Sequence, residues 1–180
     1  MMMPDKYSVR KEVRERLQLI SKDDRLRKSQ AIFETLEQSD DFRNARHVLL
    51  YWALPDEVMT HPLVQKWALY KTVYLPVMVG DDLQIRQYHL DDDLRPDARF
   101  GVGEPTNGFV PDDELIDLVV VPGRAFDGKG NRLGRGKGYY DRLLARLVNA
   151  RKIGICFKEQ LYDSIPVDDH DVLMDRVISS

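Results

Sequence analysis

Residues 115–122, LIDLVVVP, are continuously apolar apart from Asp117. Such a run suits a strand covered on both faces, because neither face can carry the alternating polar side chains of a solvated sheet. It leads straight into a glycine-rich stretch, GRAFDGKGNRLGRGKG (123–138). An apolar helical pattern follows from about Gly138 to Asn149, with Tyr140, Leu143, Leu144 and Leu147 inward. A buried strand feeding a helix through a flexible connection is the repeating unit of an open α/β sheet. In such sheets ligands bind at the carboxyl ends of the strands, where this connection lies.

The rest of the chain has the same alternation. Residues 5–20 read as an amphipathic helix with Val9, Val13, Leu17 and Ile20 on one face. Ser21 opens a second helix, with Asp24 at capping spacing. HVLLYWAL (47–54) and KIGICF (152–157) read as buried strands, and MTHPLVQKWALYK (59–71) as a helix with Pro62 near its start. TVYLPVMV (72–79) and LQIRQYHL (83–90) read as strands joined by a turn. Pro76 favours an edge or a bulge, since it cannot donate to a ladder. Residues 91–114, dense in Asp, Pro and Gly, read as an ordered surface loop. The expected fold is α/β: a single-domain three-layer sandwich over residues 1–180, with a largely parallel central sheet flanked by helices.

Net charge is −3, which argues against a general nucleic-acid or anionic-membrane binder. No run approaches the roughly 18 apolar residues of a membrane span. The start lacks the apolar core of a signal peptide. Cys156, the one cysteine, has no internal partner, and a reducing cytoplasm is the expected setting. The four histidines show no ligand spacing and read as structural or surface residues. Oligomeric state is left open, with a monomer as the default.

Against this acidic background, 123–138 holds six of the 11 glycines and five cations (Arg124, Lys129, Arg132, Arg135, Lys137) against one acid, Asp127. Glycines let backbone N–H groups approach a ligand, the helix start adds unpaired N–H groups, and Lys and Arg complete an anion cradle. The pattern is neither a Walker A motif, which would need Gly at 131 and Ser or Thr at 138, nor a dinucleotide fingerprint, which would need Gly at 139.

The stretch VVVPGRAFDGKGNRLGRGKGYYDRLL (119–144) resembles the signature of the 5-formyltetrahydrofolate cyclo-ligase (methenyltetrahydrofolate synthetase) family. KYSVRKEVRERL (6–17) is similar to that family's N-terminal Lys-x-x-x-Arg helix, YWALPDEVMT (51–60) to its substrate-binding strand and loop, and IPVDDHDVLMDRVIS (165–179) to its C-terminal segment. The resemblance implies a compact α/β enzyme that uses ATP and Mg²⁺ to cyclise 5-formyltetrahydrofolate to 5,10-methenyltetrahydrofolate. ADP and phosphate would be the other products, and neither nucleic acid nor membrane would be a partner.

Carried over by position, the resemblance implies ATP contacts at Lys6, Arg10, Arg132, Gly134, Arg135, Gly136, Lys137, Gly138, Tyr139 and Tyr140. Arg135 and Lys137 are the candidates for transition-state charge. Folate contacts fall at Trp52, Glu57 and Phe126 and along Arg135 to Tyr139, and metal ligands at Asp141 and Asp171. Competing readings of the residues alone remain open. Lys6 and Arg10 also suit a solvated helix face, Trp52 and Tyr140 suit core packing, and Asp141 suits the first turn of a helix capped by Gly138. A phosphotransferase or sugar-phosphate isomerase could use the same loop, and an RNA binder could use its arginines and tyrosines.

Overall fold

The computed structural model describes residues 4–180, apart from the side chain of Asp92. Among the described residues there are five α-helices: α1 (Lys6–Gln18), α2 (Lys22–Glu37), α3 (Asp40–Asn44), α4 (His61–Trp67) and α5 (Tyr139–Arg146). The strands are β1 (His47–Leu49), β2 (Thr72–Val79), β3 (Asp82–Gln87), β4 (Leu94–Pro96), β5 (Gly103–Pro105), β6 (Leu118–Val121), β7 (Ala125–Asp127), β8 (Arg132–Leu133), β9 (Arg151–Cys156), β10 (Leu161–Tyr162) and β11 (Arg176–Ser179).

The main sheet has the order β11-β9-β6-β1-β2-β3. Every pairing in it is parallel except that of β3 with β2. Alternate residues of these strands enter two cores. Val48, Val73, Leu118, Val120 and Ile153 pack with the apolar stripes of α1, α2 and α4, including Val9, Val13, Ile32, Leu36 and Trp67. Leu49, Tyr74, Val119 and Val121 pack with Leu143, Leu144 and Leu147 of α5 and its exit. The sheet is therefore a middle layer between helices, as the strand–helix alternation predicts.

Local chemistry sets the element ends. Asp5, Ser21 and Ser39 each accept a backbone N–H in the first turn of α1, α2 and α3. Asp117, the polar residue in the run 115–122, accepts from the N–H groups of Arg46 and His47 at 2.9 and 2.8 Å, so it fixes the start of β1 beside β6.

Three features differ from the sequence expectations. Pro76 lies on an interior strand, because β2 is flanked by both β1 and β3. It is tolerated since β1 pairs only with Thr72–Tyr74 and ends before Pro76 is reached. The stretch 91–114 contains the β4–β5 hairpin. The glycine-rich stretch is not wholly loop: β7 and β8 pair antiparallel there, and β10 joins β7.

Asp127 organises that small sheet. Its buried carboxylate accepts from Lys129 N (3.0 Å), Asn131 N (3.1 Å), Asn131 Nδ2 (2.9 Å) and Ile165 N (3.2 Å). Burial pushes its pKa up, but these bonds more than offset burial and hold it below the ordinary 3.8. A carboxyl whose folded pKa is depressed stabilises the fold fully above its unfolded pKa and loses that contribution as pH falls through the folded value. Asp127→Asn, which turns an amide NH₂ toward N–H donors, is expected to cost about 1–3 kcal/mol at neutral pH in urea unfolding. The gap to the parent protein should close as pH falls below the ordinary carboxyl value; a gap that persists unchanged in acid would contradict this account.

Candidate functional site

At the carboxyl edge of the parallel strands lies a cavity of about 380 Å³. It is bounded by Tyr51 and Trp52 after β1, Pro122 and Gly123 after β6, and the turn between β8 and α5. Every residue the family resemblance singles out lines this cavity except Phe126. Chain segments more than 100 residues apart in sequence, from Lys6 to Asp171, meet at it.

One end is cationic and rich in backbone N–H groups. Gly136 and Gly138 have φ of 111° and 73°, a region that side chains rarely adopt, so the turn into α5 needs glycine at both. Gly138 is the N-cap of α5, which puts Asp141 in the helix's first turn. Arg10 donates from Nε to the Gly134 carbonyl at 2.8 Å and pins α1 to this turn. Arg135 donates from Nη2 to Asp56 Oδ1 and Glu57 Oε1, both at 3.0 Å, and Arg124 also pairs with Asp56. Burial disfavours the Arg135 charge, but Glu57 and Asp56 outweigh it and raise its pKa. The Lys137 ammonium has no ion pair or hydrogen bond among the described residues. Lys6 bridges Asp168 (2.6 Å) and Asp171 (2.8 Å).

The other end is apolar. Trp52, Leu54, Pro76, Met78, Phe100 and Val102 form much of its wall. Trp52 stacks on His61 with ring centroids 4.0 Å apart and planes 16° apart. Several of these residues come from β2 and from the hairpin region. Sequence reading missed them because an apolar residue on a strand or in a loop gives no functional signal by itself.

One expectation is corrected, and one residue is found to have a supporting role. Phe126 is fully buried in the α5-side core rather than at the cavity. Its ring lies under Gly123 and Gly154, where an added Cβ would come within 2.7 and 2.4 Å of it, so those glycines exist to admit the ring. Arg132 lines the cavity floor but is only 5% exposed. Its guanidinium donates to the Pro122 carbonyl at 3.1 Å, lies 3.4 Å from Asp141 Oδ1 and sits over the Tyr140 ring at 5.5 Å. Burial pulls its pKa down, opposed first by Asp141. Its side chain thus supports the turn from beneath, at the floor of the cavity.

Val172 N, next in sequence to Asp171, donates to Asp141 Oδ1 at 3.3 Å, so both acids border the same end of the cavity. Asp168, His170 and Asp171 offer ligand atoms within 4.8 Å of one another. Sequence reading left His170 as a surface residue; it is exposed, yet it belongs to this cluster. Hard carboxylate oxygens beside an anion cradle fit a magnesium ion, which takes its remaining ligands from water and phosphate. Cys156 is buried, and burial pushes its thiol up to about 12, so it is an inert core residue.

An α/β sheet whose carboxyl edge carries a cationic turn beside an apolar compartment can hold a phosphate-bearing molecule and a flat apolar one side by side. The chain belongs to the 5-formyltetrahydrofolate cyclo-ligase family, whose pattern it matches over residues 2–180. The mouse 5-formyltetrahydrofolate cyclo-ligase is 31% identical over 192 aligned positions, covering 96% of this chain and 92% of that protein. The Haemophilus influenzae 5-formyltetrahydrofolate cyclo-ligase is 34% identical and covers 72% of this chain and 73% of its own. The solved structure of 5,10-methenyltetrahydrofolate synthetase from Aquifex aeolicus superposes with a TM-score of 0.87 at 34% identity, over 97% of this chain and 89% of that one.

Arg132→Lys tests the scaffold role. A single ammonium cannot span the Pro122 carbonyl and Asp141 as a guanidinium fork does. The substitution is expected to cost about 1–3 kcal/mol and to lower Tm by several degrees in thermal unfolding. An unchanged Tm would show that Arg132 does not hold the turn.

Proposed function

We propose that this protein catalyses the ATP-dependent cyclisation of 5-formyltetrahydrofolate to 5,10-methenyltetrahydrofolate, releasing ADP and phosphate, with residues 1–180 acting as one catalytic domain. The supporting observation is that one cavity joins the glycine turn, with its unpaired Lys137, to the apolar wall around Trp52. Family membership supplies the reaction, and this arrangement supplies a place for both substrates.

In this reading the triphosphate lies against the backbone N–H groups of Gly134 to Gly138, with Lys6, Arg10, Arg135 and Lys137 around it. The folate ring lies along the apolar wall near Trp52 and Tyr139, and Glu57 is at its margin. The formyl oxygen attacks the γ-phosphorus; the new O–P bond forms as the bond to ADP breaks. N10 then attacks the activated formyl carbon, loses its proton, and phosphate departs. Converting the formyl oxygen into phosphate makes it a good leaving group. Arg135 and Lys137 neutralise charge on the transferring group, and the cavity holds the reactants in line. Asp141 and Asp171 would hold Mg²⁺, which supplies further neutralisation of phosphate charge when bound.

Four observations on the chain shape this account. Lys6 is held at the rim by two acids, and Arg10 is held at the turn by a carbonyl. Arg135 is held by Glu57 and Asp56, while Lys137 is free to turn toward an anion. Of the two candidate catalytic cations, Lys137 is left unpaired among the described residues and Arg135 is oriented in advance.

Purified protein mixed with 5-formyltetrahydrofolate, MgCl₂ and ATP should show growth of the methenyl-folate absorbance band. Omitting ATP should abolish it. Arg135→Ala combined with Lys137→Ala should slow it by about 100-fold or more while circular dichroism stays unchanged. Parent protein that binds ATP but shows no band would overturn the choice of acceptor; loss of both would overturn the reading.

A further inference from the structure

The carboxylates lining the cavity differ in how fully their oxygens are engaged. Glu57 has both committed, Oε1 to Arg135 and Oε2 to the Leu54 N–H at 2.9 Å. Asp97 is spent on its own turn, accepting from Arg99 N (2.7 Å), Phe100 N (2.8 Å) and Val102 N (2.6 Å). Asp168 and Asp171 belong to the Lys6 end, and Asp141 to Arg132. Glu104 on β5 is different. It lines the apolar part of the cavity, and among the described residues it makes one hydrogen bond, accepting from Met78 N at Oε1 (2.6 Å). Among the described residues no hydrogen-bond donor engages its second oxygen. Its neighbour Gly103 packs against the edge of the Trp52 indole, where an added Cβ would stand 3.1 Å away. Glu104 and Trp52 line the same cavity, so an acceptor with a spare oxygen shares it with the flat aromatic wall.

Resting on the folate reading above, we propose that Glu104 is a specificity-determining residue that accepts the paired N–H donors of the substrate's amino-pyrimidinone ring. That edge presents an exocyclic amino group and an adjacent ring N–H in parallel, a donor pair that a carboxylate matches as it matches a guanidinium. The role complements Glu57, whose oxygens already orient Arg135. Burial raises the Glu104 pKa, with Asp97 adding to the effect, as befits an acid short of donors until a ligand brings them.

A structural role also exists for Glu104, since it satisfies the Met78 N–H, and Glu104→Gln separates the two. Glutamine keeps a carbonyl for Met78 and removes the charge that faces the ring. The expected result is a KM for 5-formyltetrahydrofolate raised about tenfold, with KM for ATP and Tm unchanged. Competitive inhibition by tetrahydropterin, the heterocycle alone, should weaken in parallel, and inhibition by p-aminobenzoylglutamate, the other half of the substrate, should not. Parent-like KM in Glu104→Gln, or equal weakening of both fragments, would overturn the assignment and leave the cyclisation reading intact. Parent protein that neither turns over nor binds 5-formyltetrahydrofolate by calorimetry would overturn both.

Discussion

The early end of β1 shapes the site. β1 pairs with β2 over three residues and stops at Leu49, while β2 runs on to Val79. Had β1 continued, its backbone would fill the space between β2 and β6. Instead Tyr51 and Trp52 leave the sheet and become walls, and Pro76 and Met78 of β2, still paired with β3 on one side, line the cavity on the other. The unmatched edge of β2 is then dealt with one group at a time. Pro76 has no N–H to satisfy, and the Met78 N–H finds a carboxylate, Glu104, brought over by the β4–β5 hairpin. The hairpin is thus both the roof of the cavity and the substitute for the missing strand.

The charge of the glycine-rich turn is the second constraint. Five cations crowded into one connection would repel each other, and the fold answers with acids drawn from elsewhere. Asp56 and Glu57 from the loop after β1 take Arg124 and Arg135, and Asp141 of α5 takes Arg132. These contacts run between elements distant in sequence, so they tie the loop to the scaffold as well as neutralise it. α1 closes the ring by laying Arg10 on Gly134 and Lys6 on the C-terminal acids.

Much of this was legible in the sequence because it depends on local chemistry. The buried strand 118–121, the α1 and α2 stripes, the N-cap at Gly138 and the cationic turn all announce themselves by residue type at fixed spacing. What was not legible depends on partners. β8 and β10 are two residues long and exist only because β7 lies between them. Pro76 argued for an edge, which is correct for one side of β2 beyond Tyr74 and invisible without knowing where β1 ends. Phe126 sits within the family's motif and reads as a wall residue, yet whether an aromatic beside glycines faces a pocket or a core is decided by Gly154, distant in sequence. Glu104 carried no signal in a stretch rich in acids, because its meaning lies in which other carboxylates have already found donors.

Burial sorts the turn's cations into two kinds. Partly exposed ion pairs contribute little net stability, about 0–1 kcal/mol each, because water competes well for both partners. Arg135 is about one-third exposed, and of its two acids Asp56 is about as open while Glu57 is more enclosed, so the Asp56 contact is the one water competes for. Lys6 divides in the same way, between the open Asp168 and the more enclosed Asp171. Arg132 cannot exchange. Its side chain is 3% exposed, and stripping it from Asp141 and Pro122 would leave a buried charge unpaired. A cradle built this way is rigid at its base and exchangeable at its rim: the buried arginine fixes the turn, and the exposed cations remain available to whatever anion enters.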